Sequence, residues 1–267
     1  MPAAAMDAFD YPLPDSAIAQ APASPRESAR LLVATGSGGV RHLRVADLPD
    51  LVGPGDVLVV NDSRVLPARL LLRKPSGGRV EVVLLEPSAE DPECWEALVR
   101  PGRKVAPGTR LQWDDTELVE VGERRAGGVR LVRLLGELDG RGSIALPPYI
   151  RRPLADPERY QTVYANRPGS VAAPTAGLHL SHEVLARCRH RGAEVRAVEL
   201  AVGLDTFRPV VADRPEDHVM HTERYHVPAE TMEACRRARR VVAVGTTTVR
   251  ALESAAASGQ LSGRTGL

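Results

Sequence analysis

Lysine is nearly absent from this sequence: of 35 basic residues, only Lys74 and Lys104 are lysines. A chain so weighted toward arginine and alanine reflects a genome-wide bias, so an arginine cluster by itself is no argument for RNA contact. Aromatic residues make up only 3%, which weighs against a base-stacking sheet platform. The three cysteines, Cys94, Cys188 and Cys235, are scattered and odd in number. They exclude a fully paired disulfide scaffold and any paired-cysteine zinc motif, and they fit a reducing cytoplasm. No stretch approaches the roughly 18 apolar residues of a membrane helix, so no spanning protein is expected. The N-terminus has neither the basic start nor the apolar stretch of a secretory signal. A net charge of +1 argues against a polyanion-coating protein and leaves room for one local basic face.

What is present is a chain of 267 residues, 43% hydrophobic, long enough for one large domain or two small ones. Its texture changes twice. Arg30–Ala34 and Val40–Leu43 flank a Gly-Ser-Gly-Gly turn and predict a strand pair. Val57-Leu58-Val59-Val60 is a continuous apolar run suited to a strand buried on both faces. Six short strands are then expected at Val65–Arg73, Arg79–Glu86, Trp95–Val99, Thr109–Trp113, Leu118–Glu123 and Val129–Leu135, with Gly, Pro and Asp turns and no helical periodicity. Such a block predicts a small antiparallel barrel or sandwich. From about residue 147, helices and strands alternate. Ser181 N-caps a helix that Gly192 stops, Glu194–Val202 is a strand, and Pro228 opens a helix to about Arg240. Val241–Val244 is a buried strand and Val249–Ser258 a helix. The expected fold is α/β: a mixed sheet layered with helices, interrupted by an inserted small antiparallel β-barrel. The expected division is a discontinuous α/β domain, residues 1–61 and 149–267, around a barrel at 62–148.

Four polar stretches lie where strands end or helices begin. Asn61-Asp62-Ser63-Arg64 follows the first buried strand; it is either a local turn or a pocket wall beyond a strand's carboxyl end. Pro168–His179 is rich in small residues that let a ligand approach the backbone. His179 there is either a general acid or base, or a packed histidine bonded to a carbonyl. His218-Val219-Met220-His221-Thr222-Glu223 invites a metal reading. On a strand, however, positions three apart face opposite sides, and no further ligand is evident. A polar pocket wall or a loop is the alternative. Val241–Arg250, with Gly245-Thr246-Thr247-Thr248 at its turn, suits phosphate or carboxylate held by backbone N–H and hydroxyl donors, or simple helix capping by a threonine.

In order, these stretches resemble one family, the S-adenosylmethionine:tRNA ribosyltransferase-isomerases of queuosine biosynthesis. The residues carrying the match are Phe9–Pro14, Arg30–Val33, Pro54–Asp56 through Asn61–Val65, Pro67–Arg69, Trp95–Pro101, Leu146–Ile150, Arg159–Ala165, Gly169–His179, Val202–Leu204, Thr206–Val210, His218–Glu223 and Gly245–Arg250. The resemblance runs from Phe9 to Ser254 and implies an α/β domain interrupted by a barrel. It implies transfer and isomerisation of the ribosyl moiety of S-adenosylmethionine onto 7-aminomethyl-7-deazaguanine at the tRNA wobble position. Epoxyqueuosine-tRNA forms and adenine and methionine leave. The alternative is a truncated, inactive relative that only binds tRNA or S-adenosylmethionine. S-adenosylmethionine is then a substrate, with no metal or bound cofactor expected. The partner is tRNA, the location cytoplasmic, the state monomeric.

The expected catalytic residues are His179, His218 and His221. The expected substrate-binding residues are Asn61, Asp62, Arg64, Thr175, Gly177, Asp205, Glu223, Gly245, Thr246, Thr247 and Arg250. Arg64, Arg69, Arg100 and Arg151 are expected to meet the RNA backbone. Three positions depart from the family pattern: Ala201 for His, Asp205 for Gly, and Leu180 for an aromatic. The family also continues beyond the last helix, so a C-terminally shortened chain is expected.

Overall fold

Chain order decides which residues meet, and a computed structural model describes residues 6–34, 36, 39–88, 90–91, 93–125, 128–138, 140–203, 212–217 and 222–267. It divides into two compact units. The first comprises Met1–Arg64, Pro147–Arg167 and Ala173–Leu267; the second comprises Val65–Leu146 and Pro168–Ala172.

The first unit begins with an antiparallel hairpin, β1 (Arg30–Ala34) and β2 (Val40–Arg44). Strand β3 (Asp56–Asn61) follows, and all six of its residues are buried. This is what an uninterrupted apolar run gives when a strand is covered on both faces.

In the second unit six strands follow: β4 (Arg69–Arg73), β5 (Arg79–Pro87), β6 (Cys94–Arg100), β7 (Thr109–Trp113), β8 (Thr116–Arg124) and β9 (Val129–Leu134). They close into an antiparallel barrel in the order β9-β6-β5-β4-β7-β8. Alternation sets the inside: Leu70 and Leu72 are buried, whereas Leu71 between them is 59% exposed. Leu84, Ala97, Leu111, Val119, Val121 and Val132 fill the same core. Arg130 is buried as well, and its guanidinium donates to the carbonyls of Gly122, Gly102 and Val105, which makes its burial tolerable. The expected strand Val65–Arg73 is shorter here because Pro67 has no N–H to give a ladder.

The chain then returns to the first unit. Helix α1 (His182–His190) is N-capped by the Ser181 hydroxyl, which accepts from Val184 N–H at 3.2 Å. Strand β10 (Glu194–Leu200), strand β11 (Glu223–His226), helix α2 (Ala229–Arg237), strand β12 (Arg240–Ala243), helix α3 (Thr246–Ser258) and strand β13 (Ser262–Thr265) follow. The sheet order is β12-β3-β10-β11-β13. Strands β12, β3 and β10 are parallel; β11 and β13 run antiparallel. Leu58 and Val60 face α1 through Val184, Leu185 and Cys188. Helices α2 and α3 lie against β3 and β10. By alternation Val57 and Val59 point away from the face that Leu58 and Val60 share. The first unit is thus a mixed α/β sheet layered with helices, interrupted along the chain by the barrel residues.

Three differences from the sequence expectation have identifiable causes. Of Val241–Val244, expected as a buried strand, the first three residues lie in β12 at the edge of the sheet, and Val241 is 40% exposed. Helix α3 starts at Thr246 rather than Val249, because Gly245 takes a φ of 88° and turns the chain directly into the helix. Strand β13 carries no apolar alternation and forms only because β11 offers it an edge.

Candidate functional site

The three parallel strands of the first unit end together, at Asn61, Leu200 and Ala243. Ligands of open α/β sheets bind beyond such carboxyl ends, and the segments leaving these strands carry the polar residues.

Asn61 is fully buried and spent on the sheet. Its amide donates to the Leu200 carbonyl at 3.0 Å and accepts from Leu200 and Ser63 N–H. It ties the end of β3 to the end of β10 and so holds the next residue, Asp62, in place. Asp62 is 8% exposed. Its Oδ2 lies 3.6 Å from Arg167 Nε, and the same guanidinium reaches Glu199 Oε2 at 3.3 Å. Its other oxygen, Oδ1, is buried without a hydrogen-bond partner. Burial pushes the Asp62 carboxyl above its ordinary value; Arg167 pulls it back, Glu199 pushes it up further, and His226 pulls it down.

Beyond β10, Gly203 N–H donates to Glu223 Oε1 at 2.8 Å. Glu223 in turn pairs with Arg250 on α3, the two side chains being 9% and 18% exposed. Arg250 keeps two nitrogens, Nε and one terminal NH2, buried and without acceptors. Thr247 Oγ1 is likewise buried and unpartnered. Thr248, by contrast, donates its hydroxyl back to the Val244 carbonyl at 2.8 Å and serves the helix alone.

Beyond β12, Gly245 lies so close to Ala176 that a Cβ placed on it would stand 3.1 Å from the alanine methyl. That contact brings the Thr175–His179 turn beside the Gly245–Thr246–Thr247 turn. Gly177 is fixed by packing: a Cβ there would meet the Tyr164 hydroxyl at 1.9 Å. Its role is to let the turn close against Tyr164, whose hydroxyl burial pushes well above its ordinary value. Thr175 and His179 are exposed, and His179 Nδ1 lies 3.3 Å from the Ala176 carbonyl.

Arg64 is engaged with Glu158 at 2.5 Å, Arg69 with Glu81 at 2.8 Å and Arg151 with Asp15 at 3.2 Å. The Arg151–Asp15 pair is exposed and the Arg64–Glu158 pair partly so, which leaves those two arginines open to exchange partners, whereas the Arg69–Glu81 pair is half-buried. Asp205, His218 and His221 lie outside the described residues. Among the described residues no group of three or more His, Cys, Asp or Glu is placed to hold a metal ion. No described helix is long and apolar enough to cross a membrane. Arg167, Glu199 and His226 escaped sequence reasoning. The available signal was Glu199, a charged residue next to the carboxyl end of a strand.

A family model described as queuosine biosynthesis protein matches residues 6–267. The chain is 52% identical over 271 residues to the S-adenosylmethionine:tRNA ribosyltransferase-isomerase of Thermus thermophilus, covering 94% of this chain and 76% of that protein. The enzyme of the same name from Gloeobacter violaceus is 51% identical over 261 residues, with 94% and 73% covered. A crystal structure of S-adenosylmethionine tRNA ribosyltransferase from Thermotoga maritima is 31% identical and covers 97% of this chain and 77% of that one, at a TM-score of 0.46.

Proposed function

This chain belongs to the queuosine biosynthesis protein family, a family of enzymes, and we propose that it moves and isomerises the ribosyl part of S-adenosylmethionine onto a 7-aminomethyl-7-deazaguanine in the tRNA wobble position. Epoxyqueuosine-tRNA is the product, and adenine and methionine are released. The observation that carries this reading is the pairing of Glu223 with Arg250, which leaves two guanidinium nitrogens free beside the Thr246–Thr247 turn. A methionine carboxylate needs N–H or arginine partners. Here it meets Arg250, the Thr247 hydroxyl and the open N–H groups at the start of α3.

Around that anchor the remaining assignments follow from what the chemistry requires. The sulfonium acidifies the adjacent ribose carbon, and the departing adenine needs a proton. His179 is exposed on the neighbouring turn and is the group assigned to proton transfer. His218 and His221 remain assigned to the same task. Asn61 organises the strand ends. Asp62, Arg64, Thr175, Gly177, Asp205, Glu223 and Gly245 complete the substrate-binding set. The domains are proposed as residues 1–61 with 149–267, and 62–148. The protein acts as a cytoplasmic monomer on tRNA.

Incubation with S-adenosylmethionine and precursor tRNA tests the reading. Release of adenine together with a modified wobble nucleoside is expected. Binding of both substrates without adenine release overturns it.

A further inference from the structure

Three buried charge groups sit at the ends of the central strands, and their balances differ. At the amino end of β3, Asp56 faces two guanidiniums, those of Arg239 and Arg240. At the carboxyl end, Glu223 faces one, that of Arg250. Asp62 and Glu199 must share a single guanidinium, that of Arg167. Among the described residues of these three groups, the last carries a surplus negative charge, and it lies at the carboxyl end of the parallel strands. His226 is the remaining titratable group acting on Asp62, and its Nδ1 is engaged with Ser262 Oγ at 2.7 Å.

The surplus coincides with an orphan acceptor. Asp62 is more than nine-tenths buried, and Oδ1 receives no donor. A buried carboxylate oxygen without a partner is costly, and burial already drives this carboxyl toward its protonated form. What would relieve both the charge and the vacant lone pair is a cation that donates hydrogen bonds. The two substrates of the proposed reaction carry a sulfonium and two primary ammoniums, and the methionine ammonium travels with the carboxylate assigned to Arg250, where Glu223 is the acidic group at hand. A sulfonium has no N–H to offer. A primary ammonium has three, and its bonds to a carboxylate are the stronger, charge-assisted kind.

We propose that Asp62, supported by Glu199 and Arg167, is the subsite that receives the aminomethyl ammonium of the wobble base, with Asp62 Oδ1 accepting one of its N–H bonds. Asp62 thereby becomes a specificity-determining residue. It selects a base bearing an amine over one of the same size bearing a neutral group. Arg167, its side chain 39% exposed, keeps the two carboxylates together.

This subsite rests on the proposed function, and the experiment separates the two. Anticodon stem-loop RNAs are prepared with 7-aminomethyl-7-deazaguanine or with 7-cyano-7-deazaguanine at the wobble position, and Kd is measured for each. The wild type is expected to prefer the aminomethyl RNA by roughly 10–100-fold. Asp62→Asn is expected to bring the two Kd values close to equality by weakening the aminomethyl RNA. A cooperative thermal melt reports that the variant is folded. Glu199→Gln, which leaves the Asp62–Arg167 pair and removes the surplus charge, is expected to lower the preference several-fold. A wild type that releases adenine while both variants keep the full preference overturns the subsite alone. A wild type that releases no adenine and binds neither RNA overturns the function reading, and the subsite with it.

Discussion

Glu223 and Arg250 face each other as a nearly buried ion pair, joining the first residue of β11 to the second turn of α3. Glu223 also accepts the Gly203 amide, so one carboxylate fixes both the loop beyond β10 and the guanidinium beside the Thr246–Thr247 turn.

Removing the carboxylate leaves that guanidinium without compensation. Glu223→Gln is therefore expected to destabilise the protein by roughly 2–4 kcal/mol, a little below the cost for a fully buried pair because Arg250 is partly exposed. Arg250→Met leaves the more buried Glu223 carboxylate uncompensated, so it should cost at least as much in stability, and it should also weaken S-adenosylmethionine binding strongly. Urea denaturation and calorimetric titration read the two quantities separately. Equal stability of the wild type and Glu223→Gln would contradict the structural role.

The close approach of Gly177 to Tyr164 sets a second expectation. Gly177→Ala forces a methyl to within 1.9 Å of the tyrosine hydroxyl, and overpacking of this kind costs roughly 1–3 kcal/mol. Adding Tyr164→Phe removes the oxygen and should recover part of the loss. Thermal melts of the single and double variants measure it; absence of any rescue would place the strain elsewhere.

Asp56 supplies a pH dependence. Its carboxylate accepts from Arg240, Arg239 and Gly53 N–H. The Arg240 hydrogen bond, the largest influence, holds its pKa below the ordinary value against the opposing effect of burial. The folded state thus binds a proton less readily than the unfolded chain. The resulting stability is fully present above the unfolded-state value and is lost as pH falls through the lower folded-state value. Asp56→Asn should lower Tm at neutral pH, by about 2–4 °C per kcal/mol lost. The gap to wild type should narrow as pH drops below the carboxylate range. A gap independent of pH between 7 and 3, about the span in which such groups titrate, would show that charge is not its source.

His179 is exposed, and its Nδ1 lies 3.3 Å from the Ala176 carbonyl. His179→Ala should leave the melting temperature unchanged and RNA affinity nearly intact. If it transfers a proton, kcat for adenine release should fall on the order of 10²–10⁴-fold. Full turnover by the variant would move that task to His218 or His221.

The barrel was legible in the sequence because period-two alternation is local. Leu70, Leu71 and Leu72 differ in burial only through the pleat, and the surrounding Gly and Pro turns set the strand lengths. The central strand β3 was legible for the same kind of reason, as a run with no polar residue to expose. Helix α1 was marked at both ends, by Ser181 and Gly192. Local chemistry also singled out Asp62, Glu223 and Arg250 as polar residues at strand and helix ends.

The sequence did not say which of these residues would meet. Strand β13, Ser262–Thr265, has no apolar pattern, and only the free edge of β11 makes it a strand. Asn61 was open to two readings, and burial against Leu200 spent its amide on the sheet. Arg167 and Glu199 carried no motif. Parallel pairing of β3 with β10 brought Glu199 to Asp62, and the Asp62 carbonyl, which accepts from Asn166 and Arg167 N–H, brought Arg167. Charge balance at such a group depends on distances between segments remote in the chain, and electrostatic energy depends on burial as well as separation. Neither quantity exists until the sheet is assembled, which is why the ion pairs and the orphan oxygen of Asp62 were decided by tertiary structure alone.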